Sequence, residues 1–399
     1  MIKVIKSAQS EVPKTWAVFI QSSCYKTWQS MPSFKPSTLW EASPHTLAKI
    51  EIVRRYLFLW FSILGTTNKR LMYIDGFAGP GQYSNSEQSS PVAALQAAKA
   101  AIERSGAKFK DVEFSFLFVE KQRDFVENLR SVVSAGTWPA NIKWDIQTGS
   151  FEEKVGGVLH ELRQQQQRLA PTFAFIDPFG ATGLPFRVVA EILSYKSCEV
   201  LLNLDSDGIS RLISAQEFEK NQKNLDELFG DRSWQNLNTS MPMARLAAAV
   251  LALYKLKLRA LRDVRYVFPF AMNTRGGQIN YHLVFASQHP LGLEKMKEAM
   301  KAVDKSGSYS FSDDSVGQGL LFDFNNPAEW AGKMQAALGG AWHPYAAYRD
   351  YALNETPFIN PKAMLEHLKA AGKVQVSWHG ESAKRGFPEE KISSILILK

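Results

Sequence analysis

The sequence contains very little cysteine: among its 399 residues only Cys24 and Cys198 carry a thiol. Two cysteines so far apart cannot build a disulfide scaffold or a thiolate zinc site. No Cys-x-x-x-Cys-x-x-Cys set is present, which excludes an iron–sulfur cluster held by this chain alone. A reducing, cytoplasmic compartment is therefore the expected location.

Long hydrophobic runs are missing as well. No stretch approaches the ~20 apolar residues that a membrane span needs, and the N-terminus MIKVIKSAQSEVPKTWAVF has neither a continuous apolar segment nor a small-residue cleavage site. We expect no signal peptide and no membrane association. The motifs G-x-x-x-x-G-K-[ST] and G-x-S-x-G are also absent, which argues against a P-loop ATPase and an α/β-hydrolase. No zinc-type spacing occurs, so no metal is predicted.

The composition is otherwise that of a globular protein, with 45% hydrophobic residues. The length suggests about two domains. The formal net charge is +8, and a basic excess favours an anionic partner, nucleic acid first. The alternative is a basic enzyme without such a partner.

Strand and helix patterns alternate through the middle of the chain. Residues 1–42 form an irregular, aromatic extension, and Ser43-Pro44 is typical of a helix start. The predicted strands that follow are Leu71–Asp75, Glu113–Glu120, Ile142–Gln147, Thr172–Asp177 and Glu199–Asp205. Helical patterns lie between them, one of them over Phe151–Leu169. This rhythm predicts βαβ units and a parallel, Rossmann-like sheet in a domain spanning 43–305.

The rhythm changes after the fifth strand. Val264–Met272 and Ile279–Ser287 are apolar and too close for a helix between them, so we expect an antiparallel hairpin. A parallel sheet that ends in such a hairpin is typical of class I methyltransferases.

The rest of the chain is predicted to form a second unit. Residues 306–326 are interpreted as a linker. Residues 327–399 contain helical stretches, among them Pro357–Gly372, and then the strands Val374–Trp378 and Ser393–Leu398. Helices followed by a small hairpin indicate a winged-helix-like module, with Lys384 and Arg385 in the wing. The alternative is an ordinary α+β appendage on the core.

The first strand runs into a glycine-rich turn, LMYIDGFAGPG. Such a turn at the carboxyl end of a strand is how an α/β sheet cradles a nucleotide, because glycine lets the backbone approach the ligand. The cofactor residues predicted here are Asp75, Gly76, Phe77, Ala78, Gly79 and Gly81. The cofactor expected for this layout is S-adenosylmethionine.

Two further strand ends carry candidate cofactor contacts. Glu120 ends the second strand, where an acid can accept hydrogen bonds from both ribose hydroxyls. Ser150 and Phe151 follow the third strand and are candidates for the adenine edge and ring. The alternatives are helix capping by Glu120 and a capping box formed by Ser150 with Glu153.

The fourth strand ends in Asp177-Pro178-Phe179. This stretch resembles the (Asp/Asn)-Pro-Pro-(aromatic) motif of amino-methyltransferases, although only one proline is present. In that motif a carboxylate and a carbonyl accept the two hydrogens of an exocyclic amine, which localises its lone pair for attack. Phe179 would stack on a flipped base. The alternative is a turn stabilised by Asp and Pro.

Taken together, these segments resemble the three-Cys-motif partner (TcmP) family. The resemblance is carried by Trp40, Pro44-His45-Thr46, Tyr73–Gly81, Phe175–Gly180 and Tyr281–Pro290. It implies a methyltransferase-like Rossmann fold, often with a C-terminal winged helix. It also implies an iron–sulfur, radical-SAM-like companion protein with three cysteines.

Three functions follow from the sequence. The first is an S-adenosylmethionine-dependent methyltransferase acting on an amino group of a nucleic-acid base. The second is a non-catalytic nucleic-acid-binding partner of the radical-SAM-like companion. The third is a nuclease in which Asp75, Asp177 and Asp205 hold Mg²⁺; it leaves the glycine loop unexplained.

Overall fold

The structure is a computed structural model. It describes residues 41–86, 88–180, 182–215, 218–273, 279–304, 309–312, 326–381, 383 and 386–399. Most of the predicted N-terminal extension, including Trp40, lies outside these residues, and so do Lys384 and Arg385 of the predicted wing.

Eight strands form the larger sheet. In chain order they are β1 (Arg70–Asp75), β2 (Glu113–Glu120), β3 (Ile142–Thr148), β4 (Thr172–Ile176), β5 (Glu199–Leu204), β6 (Tyr266–Asn273), β7 (Ile279–Ser287) and β8 (Ser310–Ser312). Their order in space is β3-β2-β1-β4-β5-β7-β6-β8. β7 runs antiparallel to both of its neighbours, and the other pairs are parallel.

Helices cover both faces of this sheet. One layer contains α1 (Pro44–Leu64), α2 (Ser90–Ser105), α3 (Arg123–Ala135) and α9 (Pro290–Val303). The other contains α4 (Phe151–Gln164), α5 (Phe186–Ser194), α6 (Ser206–Ser214), α7 (Gln222–Phe229) and α8 (Met243–Arg259).

The central strands are apolar on both sides because they lie between two helical layers. In β1, Leu71 and Tyr73 face the layer of α1, whereas Met72 and Ile74 face the layer of α4. Successive side chains of a strand point to opposite faces, so one short apolar run supplies both cores. For this reason the pattern of apolar residues in the sequence was sufficient to predict the strands of this sheet.

The start of α1 shows how local sequence sets an element. Ser43 is the N-cap, and its side chain accepts a hydrogen bond from the Thr46 N–H. Pro44 follows at the first helical position, where a missing N–H costs nothing. The buried stripe of α1 then packs on β2 and β4 through Tyr56, Trp60 and Phe61.

The predicted Rossmann-like sheet with its antiparallel hairpin is confirmed. The bounds of β2 and β7 are those expected, and β7 pairs with β5 over Val200–Leu204. Other elements differ from prediction. The fourth helix ends at Gln164 rather than Leu169, and the helix expected from Pro357 begins at Lys362, just after Pro361.

The stretch predicted as a linker contains structure at its start. Ser310–Ser312 forms β8 and extends the sheet beside β6, and Tyr309 is buried just before it. The Asp304 carboxylate accepts hydrogen bonds from the N–H groups of Tyr309 and Ser310, which anchors the start of β8 to the end of α9. Residues 306–308 and 313–325 of the stretch lie outside the described residues.

The C-terminal residues form a small α+β unit. Its helices are α10 (Pro327–Leu338), α11 (Tyr345–Glu355) and α12 (Lys362–Ala370), and its strands are β9 (Trp342–His343), β10 (Val374–Trp378) and β11 (Ile392–Ile397). The strands form an antiparallel sheet in the order β10-β11-β9. A separate hydrophobic cluster around Tyr348, Leu365 and Ile395 holds the unit together.

This unit docks on the far edge of the larger sheet. The Tyr266 hydroxyl donates to Asp350, Asn354 accepts from the Val267 N–H, and Lys297 donates to three backbone carbonyls of the unit. None of the described helices is both long enough and apolar enough to cross a lipid bilayer.

Candidate active site

The carboxyl ends of β1, β2, β4 and β5 meet at one edge of the sheet, and the predicted site residues are distributed along it. In parallel sheets this edge is where ligands bind, at the point where the strand order reverses. Here the reversal lies between β1 and β4, so Asp75 and Asp177 are placed on either side of it.

The glycine loop after β1 is anchored at several points. The Gly76 N–H donates to the Phe175 carbonyl of β4, and the Ala78 N–H donates to the Val119 carbonyl of β2. Asn128 of α3 donates to the Pro80 carbonyl at 2.5 Å. A loop held on three sides is preorganised before any ligand arrives.

The glycines of this loop have different structural roles. A Cβ on Gly76 would lie 2.7 Å from the Phe151 ring, and one on Gly81, whose φ is +88°, would lie 2.9 Å from the Leu129 Cα. These two glycines therefore permit tight packing of the loop on the fold. Gly79 has φ +65° and no atom within 4 Å of the site of a Cβ. The Gly79 backbone therefore faces open space, which a ligand needs in order to approach the backbone closely.

Asp75 lies beneath the loop and is fully buried. Its carboxylate accepts hydrogen bonds from the Phe77 N–H at 3.3 Å and from the Tyr73 hydroxyl at 3.1 Å. Burial raises the pKa of Asp75 to about 7, and the nearby Asp177 charge pushes it in the same direction. Asp75 thus shapes the loop from below and has no exposed surface of its own.

Glu120 stands at the end of β2 beside the loop. Its Oε2 accepts from the Gly79 N–H at 2.9 Å and its Oε1 accepts from the Gln122 N–H at 2.8 Å. Each carboxylate oxygen retains capacity for another hydrogen bond. Glu120 therefore links the open glycine to the second strand and leaves room for further donors.

Ser150 and Phe151 separate into two structural roles. Ser150 is exposed and caps α4, since its hydroxyl accepts from the Glu153 N–H at 3.1 Å. Phe151 is only 1% exposed and lies under Gly76 with its ring 6.1 Å from that of Phe77. The hydrogen bond of Ser150 agrees with the alternative in which this residue caps the helix. Phe151 supports the loop from inside the core rather than presenting its ring at the surface.

Asp177, directly after β4, is held by two side chains from other elements. Its Oδ2 lies 2.5 Å from Lys49 Nζ of α1, and its Oδ1 accepts from Asn203 Nδ2 at 2.8 Å. Lys49 in turn lies 5.3 Å from the centre of the Tyr281 ring. The carboxylate is thus oriented on both oxygens and lies beside a fixed positive charge.

The two residues after Asp177 differ sharply in exposure. Pro178 is buried, whereas Phe179 is 82% exposed and is the most exposed large hydrophobic side chain of the described residues. An apolar ring displayed in this way has no role in the core. It is available to stack on a planar ligand at the mouth of the crevice.

The residues proposed for a magnesium site do not come together as a cluster. Asp205 caps α6 by accepting from the Gly208 N–H at 2.8 Å. Across the part of the chain that the structure describes, no group of three or more His, Cys, Asp or Glu side chains is placed to hold a metal ion. The nuclease hypothesis therefore lacks its ligand set.

Several residues of this crevice are not among the predicted site residues. Lys49, Asn203 and Asn128 reach it from α1, β5 and α3, and their sequence separations from the groups they touch are 128, 26 and 48. No local signal could have paired them. His289 caps α9, since its Nδ1 accepts a hydrogen bond from the Leu291 N–H.

The strand order 3-2-1-4-5-7-6, with an antiparallel seventh strand and a glycine loop after the first, defines a class I methyltransferase fold. No family model matches the chain, and no curated protein matches it either.

Among solved structures, the chain is similar to a protein assigned as a methyltransferase from Porphyromonas gingivalis W83, at 12% identity and TM-score 0.25. That match covers 55% of this chain and 37% of the other. A cofactor-bound protein from MTB (Rv0187) matches at 10% identity and TM-score 0.32, covering 59% and 79% of the two chains. A protein assigned as an O-methyltransferase from Klebsiella pneumoniae matches at 10% identity and TM-score 0.31, covering 58% and 78%.

Proposed function

We propose that this protein is an S-adenosylmethionine-dependent methyltransferase that acts on an amino group of a nucleic-acid base. The observation that carries the proposal is the open backbone of Gly79 next to the Glu120 carboxylate, at the carboxyl edge of the sheet. This arrangement suits a nucleoside, because glycine admits the ligand and the acid accepts from ribose hydroxyls.

The cofactor would lie along the loop 76–81 and against Glu120, with Ser150 near its base. When bound, it supplies an electrophilic methyl group. The protein's part is to hold the loop rigid, which Asn128 and the backbone contacts of Gly76 and Ala78 already do. Phe77 and Phe151 fill the space beneath, so that the loop cannot collapse into the core.

The acceptor would be positioned by Asp177 and Phe179. An exocyclic amine is a weak nucleophile, and a hydrogen bond from its N–H to the Asp177 carboxylate localises the lone pair for attack. Asn203 and Lys49 fix the direction of that carboxylate. The exposed Phe179 ring would stack on the extruded base, since base stacking on an aromatic side chain contributes about 1–3 kcal/mol.

Nucleic-acid affinity is assigned to the basic charge and to the C-terminal unit. The order α10, β9, α11, α12, β10, β11 is the element order of a winged helix. In this arrangement α12 would be the recognition helix, and the turn between β10 and β11 would be the wing. We also propose, from the family resemblance, a three-Cys-motif, radical-SAM-like protein as a companion.

The cofactor assignment is tested by calorimetric titration with S-adenosylmethionine and S-adenosylhomocysteine. Glu120→Gln should weaken binding by about tenfold or more, equivalent to about 1.4 kcal/mol, because one ribose acceptor is lost. Glu113→Gln is the matched control, since it makes the same change at the opposite end of β2. Folded wild-type protein that binds neither compound would refute the proposal.

The acceptor assignment is tested by transfer of labelled methyl groups to DNA and RNA. Phe179→Ala should reduce transfer while leaving cofactor affinity unchanged. Leu256→Ala, which truncates another exposed hydrophobic residue on α8, should change neither. Equal transfer by Phe179→Ala and the wild type would remove Phe179 from the acceptor site.

A second function is favoured by one specific contact. Because Lys49 already neutralises Asp177, a protein that only binds nucleic acid and presents it to the companion also fits the geometry. This alternative predicts salt-sensitive binding to nucleic acid that does not depend on the cofactor. Binding of nucleic acid without any binding of S-adenosylmethionine would favour it.

A further inference from the structure

A broad groove opens at the edge of the sheet opposite the crevice, where β4, β5 and β6 begin. Its volume is about 1160 Å³. Five cationic side chains line it against two acidic ones, Glu191 and Asp263. The cations are Arg163, Arg168, Arg187, Lys196 and Arg265.

Three of these cations are available to a ligand. Arg168, Lys196 and Arg265 are exposed, and within the described part of the chain their side chains make no hydrogen bond or ion pair. Arg163 and Arg187 pair with Glu191 and Glu152 respectively. A concave surface with unpaired guanidinium and ammonium groups attracts phosphate, for which Arg offers a fork of donors and Lys a point charge.

A second, narrower cavity of about 430 Å³ adjoins this groove. It lies between the second half of α1 and the start of α9, and its apolar wall includes Trp60, Ile63 and Leu64. Its size falls within the range of small-molecule sites, and a mostly apolar lining with a few polar groups is their usual character.

Among the polar groups that line this cavity is the buried Glu199 carboxyl. The Tyr56 hydroxyl donates to its Oε2, and the Ser287 hydroxyl donates to its Oε1 at 2.6 Å. Glu199 is 6% exposed, and burial raises its pKa. The two hydroxyls and the Trp60 side chain orient the carboxyl without exhausting it, since two carboxyl oxygens offer about four acceptor positions. It can therefore receive an N–H group from a planar base.

The groove and the cavity are adjacent and share part of their walls. Lys196 and Gln288 line both of them. The Gln288 side chain donates to the Leu193 and Tyr195 carbonyls and accepts from the Ser197 N–H. These hydrogen bonds fix the 193–197 loop, so that its Lys196 side chain stands at the junction.

We propose that this edge of the sheet is a nucleotide-binding site, with a nucleobase in the Trp60–Glu199 cavity and its phosphate on Arg168, Lys196 and Arg265. A purely apolar ligand would leave the remaining acceptor position of the Glu199 carboxyl unused, and an inorganic anion would leave the cavity unfilled. A nucleotide meets both requirements, because its base fills the cavity and offers N–H donors to the carboxyl. The site is separate from the Gly79 crevice, which lies at the other end of the strands, and it stands whether or not that crevice binds S-adenosylmethionine.

Calorimetric titration of the full chain tests this proposal with guanosine 5′-monophosphate, guanosine and inorganic phosphate. Guanine is the base of choice because its N1–H and N2–H groups are adjacent donors. Wild-type protein should bind guanosine 5′-monophosphate about tenfold or more tightly than it binds guanosine or inorganic phosphate. Lys196→Glu with Arg265→Glu should abolish this gain, and Ile63→Trp, which fills the cavity, should do the same.

The matched control is Lys108→Glu with Lys110→Glu, which makes the same change in charge at exposed positions after α2. This variant should bind like the wild type, and titration with S-adenosylmethionine should be the same for all variants. Equal binding by the control and the groove variant, or phosphate binding as tight as that of the monophosphate, would overturn the proposal, as would no binding of the monophosphate at all.

The source of the nucleotide is distinguished by a second titration, with the 5′-phosphorylated dinucleotide pGpA. Affinity about tenfold above that of the monophosphate, and lost in the groove variant, identifies the end of a nucleic-acid strand. Equal or weaker affinity identifies a free nucleotide. Both results support the site, because both require the cavity and the cations together.

Discussion

Lys49 Nζ lies 2.5 Å from Asp177 Oδ2, and this ion pair joins the first helix to the loop that follows the fourth strand. The side chains are 11% and 20% exposed, so water screens the pair only in part. Since Asn203 holds the other oxygen of Asp177, the carboxylate is constrained from two sides of the crevice. Helix α1 therefore holds Asp177, the proposed acceptor-site residue, as well as packing on the core.

Replacing Lys49 with Met should destabilise the protein by about 2 kcal/mol, because the Asp177 carboxylate loses its cation in a partly buried place. Denaturant unfolding measures the difference. Lys49→Arg should retain most of the stability. In the Lys49→Met, Asp177→Asn double variant the two losses should not add, because the residues touch. Additive losses would show that the pair is not coupled.

Replacing Asp75 with Asn should change how stability depends on pH. The folded-state pKa of Asp75 is raised to about 7, so its contribution is fully present below its ordinary value of 3.8 and is lost as pH rises through 7. The loss is on the order of 4 kcal/mol. Wild-type stability should therefore fall between about pH 4 and pH 7 more steeply than that of Asp75→Asn. Parallel curves would contradict the assignment.

His282 should have the opposite dependence. It is buried on β7, its Nδ1 lies 3.0 Å from the Ser206 hydroxyl, and burial together with the nearby Lys255 lowers its pKa to about 4. The stability that it contributes is present above about pH 6.5 and is lost as pH falls through 4, on the order of 3 kcal/mol. Thermal unfolding between these pH values should show a smaller acid loss for His282→Gln than for the wild type.

The glycines of the loop should separate folding from binding. Gly81→Ala places a Cβ 2.9 Å from the Leu129 backbone in a left-handed conformation and should cost about 2–3 kcal/mol of stability. Gly79→Ala incurs only the left-handed strain of about 1 kcal/mol, because its Cβ meets open space. It should instead impair titration with S-adenosylmethionine. If both variants lose stability equally, Gly79 does not border a ligand site.

The strands of the larger sheet were predictable because their signals are local. Glu113–Glu120 is an apolar run between charged ends, and the hairpin after Val264 is set by the short interval between two such runs. The strand β8 was not predictable. Ser310–Ser312 has no alternation to detect, and it is a strand only because β6 offers a free edge.

The candidate site was predictable where it lies at strand ends and unpredictable where it depends on distant contacts. Asp75, Glu120 and Asp177 follow apolar runs in the sequence, so their shared edge could be inferred from the parallel topology alone. The partners Lys49 and Asn203 come from elsewhere in the chain. The burial of Phe151 was not predicted, because a single residue at the start of a helix has no periodic pattern that shows whether it faces the core or the surface.

Lys297 of α9 couples the stability of the C-terminal unit to that of the larger sheet. Its ammonium group is buried and donates to the carbonyls of Ala352, Thr356 and Phe358, all of which belong to that unit. If the unit unfolded alone, this cation would remain in an apolar setting beside Phe268 and Tyr309 without acceptors. The two parts should therefore melt in a single cooperative transition, and Lys297→Met should be the substitution that lets calorimetry resolve two.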